Sequence, residues 1–247
     1  MQEVMNNSNW LSFTSTSQPK QEAMSYYQLK RVMDVTIVLF SLILLLPLLA
    51  LIAVIIKLDS SGSAIFIQER VGARKVKING RTQWVAQTFP FFKFRTMRTD
   101  VDSKLHEEYM KAYIAGDESK LAEQDGKSAT SYKLTGDPRV TRVGKLLRAT
   151  SLDELPQLWN VLRGDMSLVG PRPPIPYEVE VYSKEHFARF ATLPGITGLW
   201  QVSGRCETTF EEMVQLDLEY IEMKSIREDI KILFKTIPAV ISERGAG

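Results

Sequence analysis

The sequence predicts an α+β fold, mainly helical, built on one membrane-embedded helix. Three observations predict it. The run from Val35 to Ile56 carries no charged residue and is about as long as a hydrocarbon core of ~30 Å demands. Two short stretches, SAIFIQERVG and WVAQTFPFFKFRTM, are rich in β-branched and aromatic residues, as strands are. Much of the remaining chain shows helical spacing, most clearly from Thr208 to Ile241.

Composition bounds the reading. With 247 residues, 44% hydrophobic and 24% charged, the chain can build a packed core, and global disorder is excluded. A net charge of +2 implies no whole-chain attraction to nucleic acid. The single cysteine, Cys206, rules out an intramolecular disulfide and fits a reducing compartment. Only two histidines are present, which argues against a histidine-rich zinc site and leaves room for a hard cation on carboxylates.

Residues 1–28 are rich in Ser, Thr, Asn and Gln without a period, and read as a polar mobile tail. Residues 29–58 read as the membrane helix. The apolar run is too long for a signal peptide, starts too late, and lacks a small-residue cleavage site before Lys57. A buried core helix is the weaker alternative, because few soluble helices are apolar on every face. Pro47 falls near the middle, where it removes a donor and clashes one turn back, so the helix breaks or kinks there. A kinked helix could span. Alternatively, it bends at Pro47 and returns to the side it entered. Lys30 and Arg31 precede the run, and Lys57, Arg70, Arg74, Lys75 and Lys77 follow it. Basic residues favour the cytoplasmic side, so both flanks point to the re-entrant form. Residues 59–247 then form a cytoplasmic domain.

Within that domain charge alternates in blocks: basic from Gln68 to Arg98, acidic from Thr99 to Gly126, basic again from Lys127 to Arg148. The acidic block reads as a solvated helical excursion, and the basic blocks as converging on something anionic. Helices are expected over 141–163, with a break near Ser151, and over 177–192. Residues 195–205 read as loop and short strand. Residues 208–241 read as amphipathic helices split near Lys224-Ser225, with Ile226, Ile230, Leu233, Phe234 and Ile237 covering a core or lying on a membrane surface.

The chemistry concentrates in SLDELPQLWNVLRGDMSLVGPRP, residues 151–173. Ser151-Leu152-Asp153-Glu154 matches a capping box, with Ser151 as cap and Glu154 reaching back. That reading leaves Asp153 without a role. Carboxylates at a helix start are held ionised. An ionised Asp can attack phosphorus to form an acyl phosphate, and a neighbouring Glu can hold Mg²⁺ against substrate phosphates. Ordinary helix-start chemistry remains the alternative. Candidate phosphate ligands are Lys93 and Arg95 in FKFRTM, Arg148, then Arg172 between two prolines, and Arg205; Arg139 and Arg142 precede Arg148 in DPRVTRVGKLLR, and surface arginines are usually just solvated. A guanidinium on a stiff backbone suits bidentate phosphate binding. No P-loop or dinucleotide fingerprint is present. Asp100-Val101-Asp102 is a D-x-D triplet of the kind metal-dependent nucleotide-sugar glycosyltransferases use. It frames a second reading, in which UDP is released. A membrane-anchored scaffold without chemistry is a third.

Taken in order, KR with Asp34 and the mid-helix proline, QERVG, FKFRTM, TGDPRVTRVGKLLRATSLDELPQLWNVLRGDMSLVGPRP and PGITGLWQVSGR resemble the bacterial sugar transferase family, the monotopic polyprenol-phosphate phosphoglycosyltransferases. The resemblance covers about residues 28–247. It implies transfer of a sugar-1-phosphate from a UDP-sugar to undecaprenyl phosphate at the cytoplasmic face of the inner membrane, releasing UMP and starting glycan assembly. It implies a re-entrant helix bent at Pro47, Asp153 as nucleophile, Glu154 as Mg²⁺ ligand, and Lys93, Arg148 and Arg172 at the phosphates. It adds Gln201, Arg205 and Asp217 as further pocket residues, and leaves room for a homo-oligomer. Leu46 stands where some small members carry Ser, the 99–134 excursion is longer than theirs, and the chain resembles the catalytic unit without additional transmembrane helices. The sugar is not specified.

Overall fold

The apolar run folds as a helix that outlasts it at both ends. In this computed structural model, which describes residues 24–78, 80–98, 104–117, 119–121, 139–203 and 208–241, helix α1 spans Met24–Asp59. It continues through Pro47, so the expected break is not a break in secondary structure. One proline forfeits one backbone donor, and the turns on either side keep theirs. Most of the expected polar tail lies outside the described residues.

Strands β1 (Ile65–Ile78) and β2 (Arg81–Phe94) form a long antiparallel hairpin; β1 runs past the end of its predicted stretch, and β2 starts and ends three residues before its own. Helices α2 (Lys104–Ala115), α3 (Arg142–Ala149) and α4 (Gln157–Arg163) follow. Strand β3 (Ser167–Val169) pairs in parallel with β4 (Gly195–Thr197). Between them lie the short helix α5 (Pro176–Val179) and a 3₁₀ helix at Glu185–Phe190, where one helix over 177–192 was expected. Helix α6 (Leu199–Ser203) replaces part of the expected loop. Helices α7 (Phe210–Met223) and α8 (Ile226–Ile241) fall where predicted. The mainly helical α+β prediction describes this architecture.

The acidic excursion is more than a solvated face. Tyr109, Met110, Ala112 and Tyr113 of α2 are buried against Trp200, Phe210 and Met213. Charge counts conceal this, because the apolar stripe of α2 occupies the positions between its acids.

Helix α1 docks on this body with both halves. Before Pro47, Lys30 pairs with Asp229 at 2.9 Å, and Asp229 also accepts from Tyr26 at 3.0 Å and Tyr220 at 2.7 Å. A fully partnered charge of this kind is tolerable when buried. Arg31 donates to the Val161 and Leu162 carbonyls at the end of α4, Asp34 accepts from Ser167 Oγ at 2.7 Å, and Val38 is fully buried. After Pro47, Ile52 and Ile56 pack on Phe94 and Leu147. Between them Leu42, Leu45, Leu48 and Leu49 keep the inner face packed on the body, while the outer face stays exposed along the helix, from Val32 through Phe40, Ile43 and Leu46 to Val54 and Leu58. The helix is long and apolar enough to cross a membrane.

Helix α3 is fixed to the end of β2. Thr141 caps it by accepting from the Gly144 amide at 2.9 Å, and the Thr141 amide donates to the Thr96 carbonyl at 3.0 Å. A Cβ on Gly144 would run into the Thr96 backbone. Gly144→Ala is therefore expected to cost about 1–3 kcal/mol, read as a lower thermal unfolding midpoint.

Candidate active site

The peptide between α3 and α4 bends sharply at Ser151, which has φ 56° and ψ 17° and makes no side-chain cap. The predicted capping box is therefore not formed. Among the described residues Ser151 is the only non-glycine with positive φ. Such a conformation costs about 1–3 kcal/mol and concentrates at functional sites. Its effect is local. A 3₁₀ turn at Leu152–Glu154 follows, held by the Glu154 amide on the Ser151 carbonyl at 3.3 Å. Pro156 then precedes α4. Asp153 and Glu154 thus sit on a tight turn before the helix rather than in its first turn.

Both carboxylates line a cavity of about 260 Å³. Lys93 from β2, Arg148 from α3 and Arg172 from the loop after β3 line it as well. The proline-flanked loop does place Arg172 against the dyad: its guanidinium lies 3.5 Å from Glu154 Oε1. Asn160, fully buried on α4, ties the helix that follows the dyad to the hairpin. It donates to the Pro90 carbonyl at 2.7 Å and accepts from the Phe92 amide at 3.1 Å. Those two bonds hold α4, which follows the Asp153-Glu154 turn, against the strand that carries Lys93.

Burial, foremost, and then Arg70, Arg172 and Arg148 lower the Lys93 amine to about 8, with Asp153 pulling the other way. A lysine with so many cationic neighbours is a site prepared for anions.

The other expected residues lie elsewhere. Strand β2 ends at Phe94, and Arg95 turns away from the cavity to cap α1, donating to the Ser60 and Ser61 carbonyls at 2.6 and 2.5 Å. It anchors the C-terminal end of α1. Asp217 is buried against Arg189, accepting from Nε at 2.8 Å. Arg189 in turn reaches the Arg172 carbonyl at 3.4 Å, so Asp217 acts behind the cavity. Gln201 lies on α6, donating to the Ile196 carbonyl at 3.3 Å, and does not line the cavity. Arg205 and the Asp100-Asp102 triplet lie outside the described residues.

The cavity also recruits residues that the sequence reading did not select: Arg70, Gln68, His106, Arg139, Tyr177 and Glu178. Arg70 donates to the Pro173 carbonyl at 3.0 Å and so clamps the Arg172 loop. Nothing in its local pattern separates Arg70 from the other basic residues of the hairpin.

Known proteins bear on this geometry. The model of the bacterial sugar transferases matches residues 25–243. The chain belongs to this family. An exopolysaccharide production protein of Sinorhizobium fredii is 41% identical over 88% of this chain and 87% of its own length. A UDP-galactose-lipid carrier transferase of Erwinia amylovora is 44% identical over 88% of this chain, which spans only 41% of that protein. A UDP-glucose:undecaprenyl-phosphate glucose-1-phosphate transferase of Caulobacter vibrioides is 38% identical, with 88% of this chain and 71% of the relative covered. In this family member the cavity brings two carboxylates together with Lys93, Arg148 and Arg172.

Proposed function

We propose that this protein transfers a sugar-1-phosphate from a UDP-sugar to undecaprenyl phosphate, releasing UMP. The observation that carries the reading is the placement of Asp153 and Glu154 in one cavity with Lys93, Arg148 and Arg172. The names of relatives, which include galactose and glucose phosphate transfer to undecaprenyl phosphate, support the substrate classes.

In the first step an Asp153 carboxylate oxygen bonds to the sugar-linked phosphorus, the phosphorus–oxygen bond to UMP breaks, and UMP leaves with its electron pair. In the second, an oxygen of the lipid phosphate bonds to the same phosphorus and the aspartyl–phosphorus bond breaks. Lys93, Arg148 and Arg172 stabilise the charge on the remaining phosphate oxygens in both steps. The anomeric bond stays intact.

Magnesium fits the donor set. Among the described residues no group of three or more potential ligands is assembled, but Mg²⁺ is commonly held by one or two carboxylates and substrate phosphates. Glu154, with Asp153 beside it, would hold it, and the ion would neutralise diphosphate charge.

The helix fits a re-entrant insertion. Residues on both sides of Pro47 pack on one body, which favours both ends lying on one face, and the apolar face exposed along the helix is left for a bilayer. Basic flanks favour the cytoplasmic face of the inner membrane.

Nucleotide release from a panel of UDP-sugars, with and without undecaprenyl phosphate, tests the reading. UMP as product supports it. UDP as product, or no product from any donor, overturns it. The Lys93 amine supplies a pH signature. It is charged below about 8 and neutral above, so phosphate binding weakens as pH rises. The expected kcat/KM profile falls on its basic side near pH 8, and in Lys93→Arg that limb shifts to higher pH because the guanidinium stays charged.

A further inference from the structure

One member of the cavity wall is a buried acid without a role in phosphate transfer. Glu178, on α5, is 3% exposed, and it lines the same cavity as Asp153 and Arg172. Its Oε1 is buried with no hydrogen-bond partner in the structure. Burial raises its carboxyl above the usual range, while Arg70, Arg172 and Arg189 oppose that rise. An unmet buried acceptor is costly, and the helix that carries it is positioned independently: Pro176 opens it directly after Pro173-Pro174-Ile175, where prolines stiffen the chain.

The missing partner is a donor. Phosphate oxygens are acceptors bearing negative charge, and a carboxylate repels them. They belong with Lys93, Arg148 and Arg172. A hydroxyl meets the need, since it can donate to a carboxylate and can also accept from a protonated carboxyl. A nucleotide sugar carries hydroxyls on both its hexose and its ribose, at either end of the diphosphate.

We propose that Glu178 is a specificity-determining residue that hydrogen-bonds a hydroxyl of the sugar nucleotide. The inference rests on the UDP-sugar reading above. A hydroxyl is recognised here against its absence, and a buried polar group left unpaired by a deoxy substrate penalises that substrate strongly.

The test compares kcat/KM of the full-length protein and of Glu178→Gln and Glu178→Ala on an active UDP-sugar, on its analogues lacking single hexose hydroxyls, and on the analogues lacking a ribose hydroxyl. Wild-type protein should lose about tenfold or more with one deoxy donor. In Glu178→Ala that donor and its parent should react alike, and Glu178→Gln should fall between. Loss of discrimination on a hexose analogue assigns the contact to the sugar, and loss on a ribose analogue assigns it to the nucleoside. Equal losses for every donor would mean that Glu178 only orders the surrounding arginines, and the proposal would fall. It would also fall if the wild-type protein accepted all deoxy donors as well as their parent, a result that needs no variant to fold. Absence of UMP release from wild-type protein with any donor removes the transfer reading itself, and this inference with it.

Discussion

Asp153→Asn is expected to lower UMP release by about 10⁴–10⁶, the range seen when single members of a covalent catalytic unit are removed elsewhere. The substitution keeps the volume of the side chain. The turn that presents it is made by the Ser151 backbone and the Leu152–Glu154 3₁₀ turn, neither of which needs the charge. An unchanged unfolding midpoint together with lost turnover therefore assigns the loss to chemistry. Mass spectrometry of the intact protein, quenched with donor and no lipid acceptor, should show a phosphosugar adduct on the wild type and none on the variant. Turnover within tenfold of wild type would remove Asp153 from the nucleophile's role.

The second large effect is expected at Arg172. Its backbone is held from three directions: prolines on both sides, Arg70 on the Pro173 carbonyl, and Arg189 on its own carbonyl. So rigid a guanidinium loses little entropy on engaging a phosphate. Arg172→Ala should lower kcat/KM by about 10²–10³. Arg172→Lys keeps the charge and loses the fork, and should recover only part of it. Asp217→Asn, which loosens Arg189 from behind, should act in the same direction more weakly. If Arg172→Lys equalled wild type, charge alone would account for the site.

Some of this was legible in residue order. The apolar run, the paired acids, and the arginine between prolines each carry their meaning within a few residues, because hydropathy and backbone stiffness are local properties. The positions of helices α3, α4, α7 and α8 followed from spacing for the same reason. Arg95 and Lys93 show where local reading stops. Two residues apart on a strand, they should share a face, yet the strand ends at Phe94 and Arg95 closes the end of α1. Strand termination depends on what packs against the strand, and that partner is separated by more than thirty residues of chain.

Glu178 makes the same point from the other side. No pattern marks it, since a Glu after Pro-Tyr reads as a surface residue. It becomes notable only when α5 is packed against β1 and the loop bearing Arg172, where burial strips its water and leaves Oε1 unmatched. Likewise α2 looked solvated by its charges, while its tyrosines and methionine fill a core.

By itself, then, the sequence determined the long apolar segment, the mainly helical architecture, the resemblance to one family and the candidate residues Asp153, Glu154 and Arg172. Hydropathy, charge and propensity act over one or two turns and survive in linear order. Tertiary structure alone decided which cations share the dyad's cavity, that Arg95 and Asp217 support rather than line it, and that both halves of α1 rest on one body. Those outcomes depend on burial and on hydrogen bonds between residues far apart in the chain, whose energies appear only once the packed chain has removed the water.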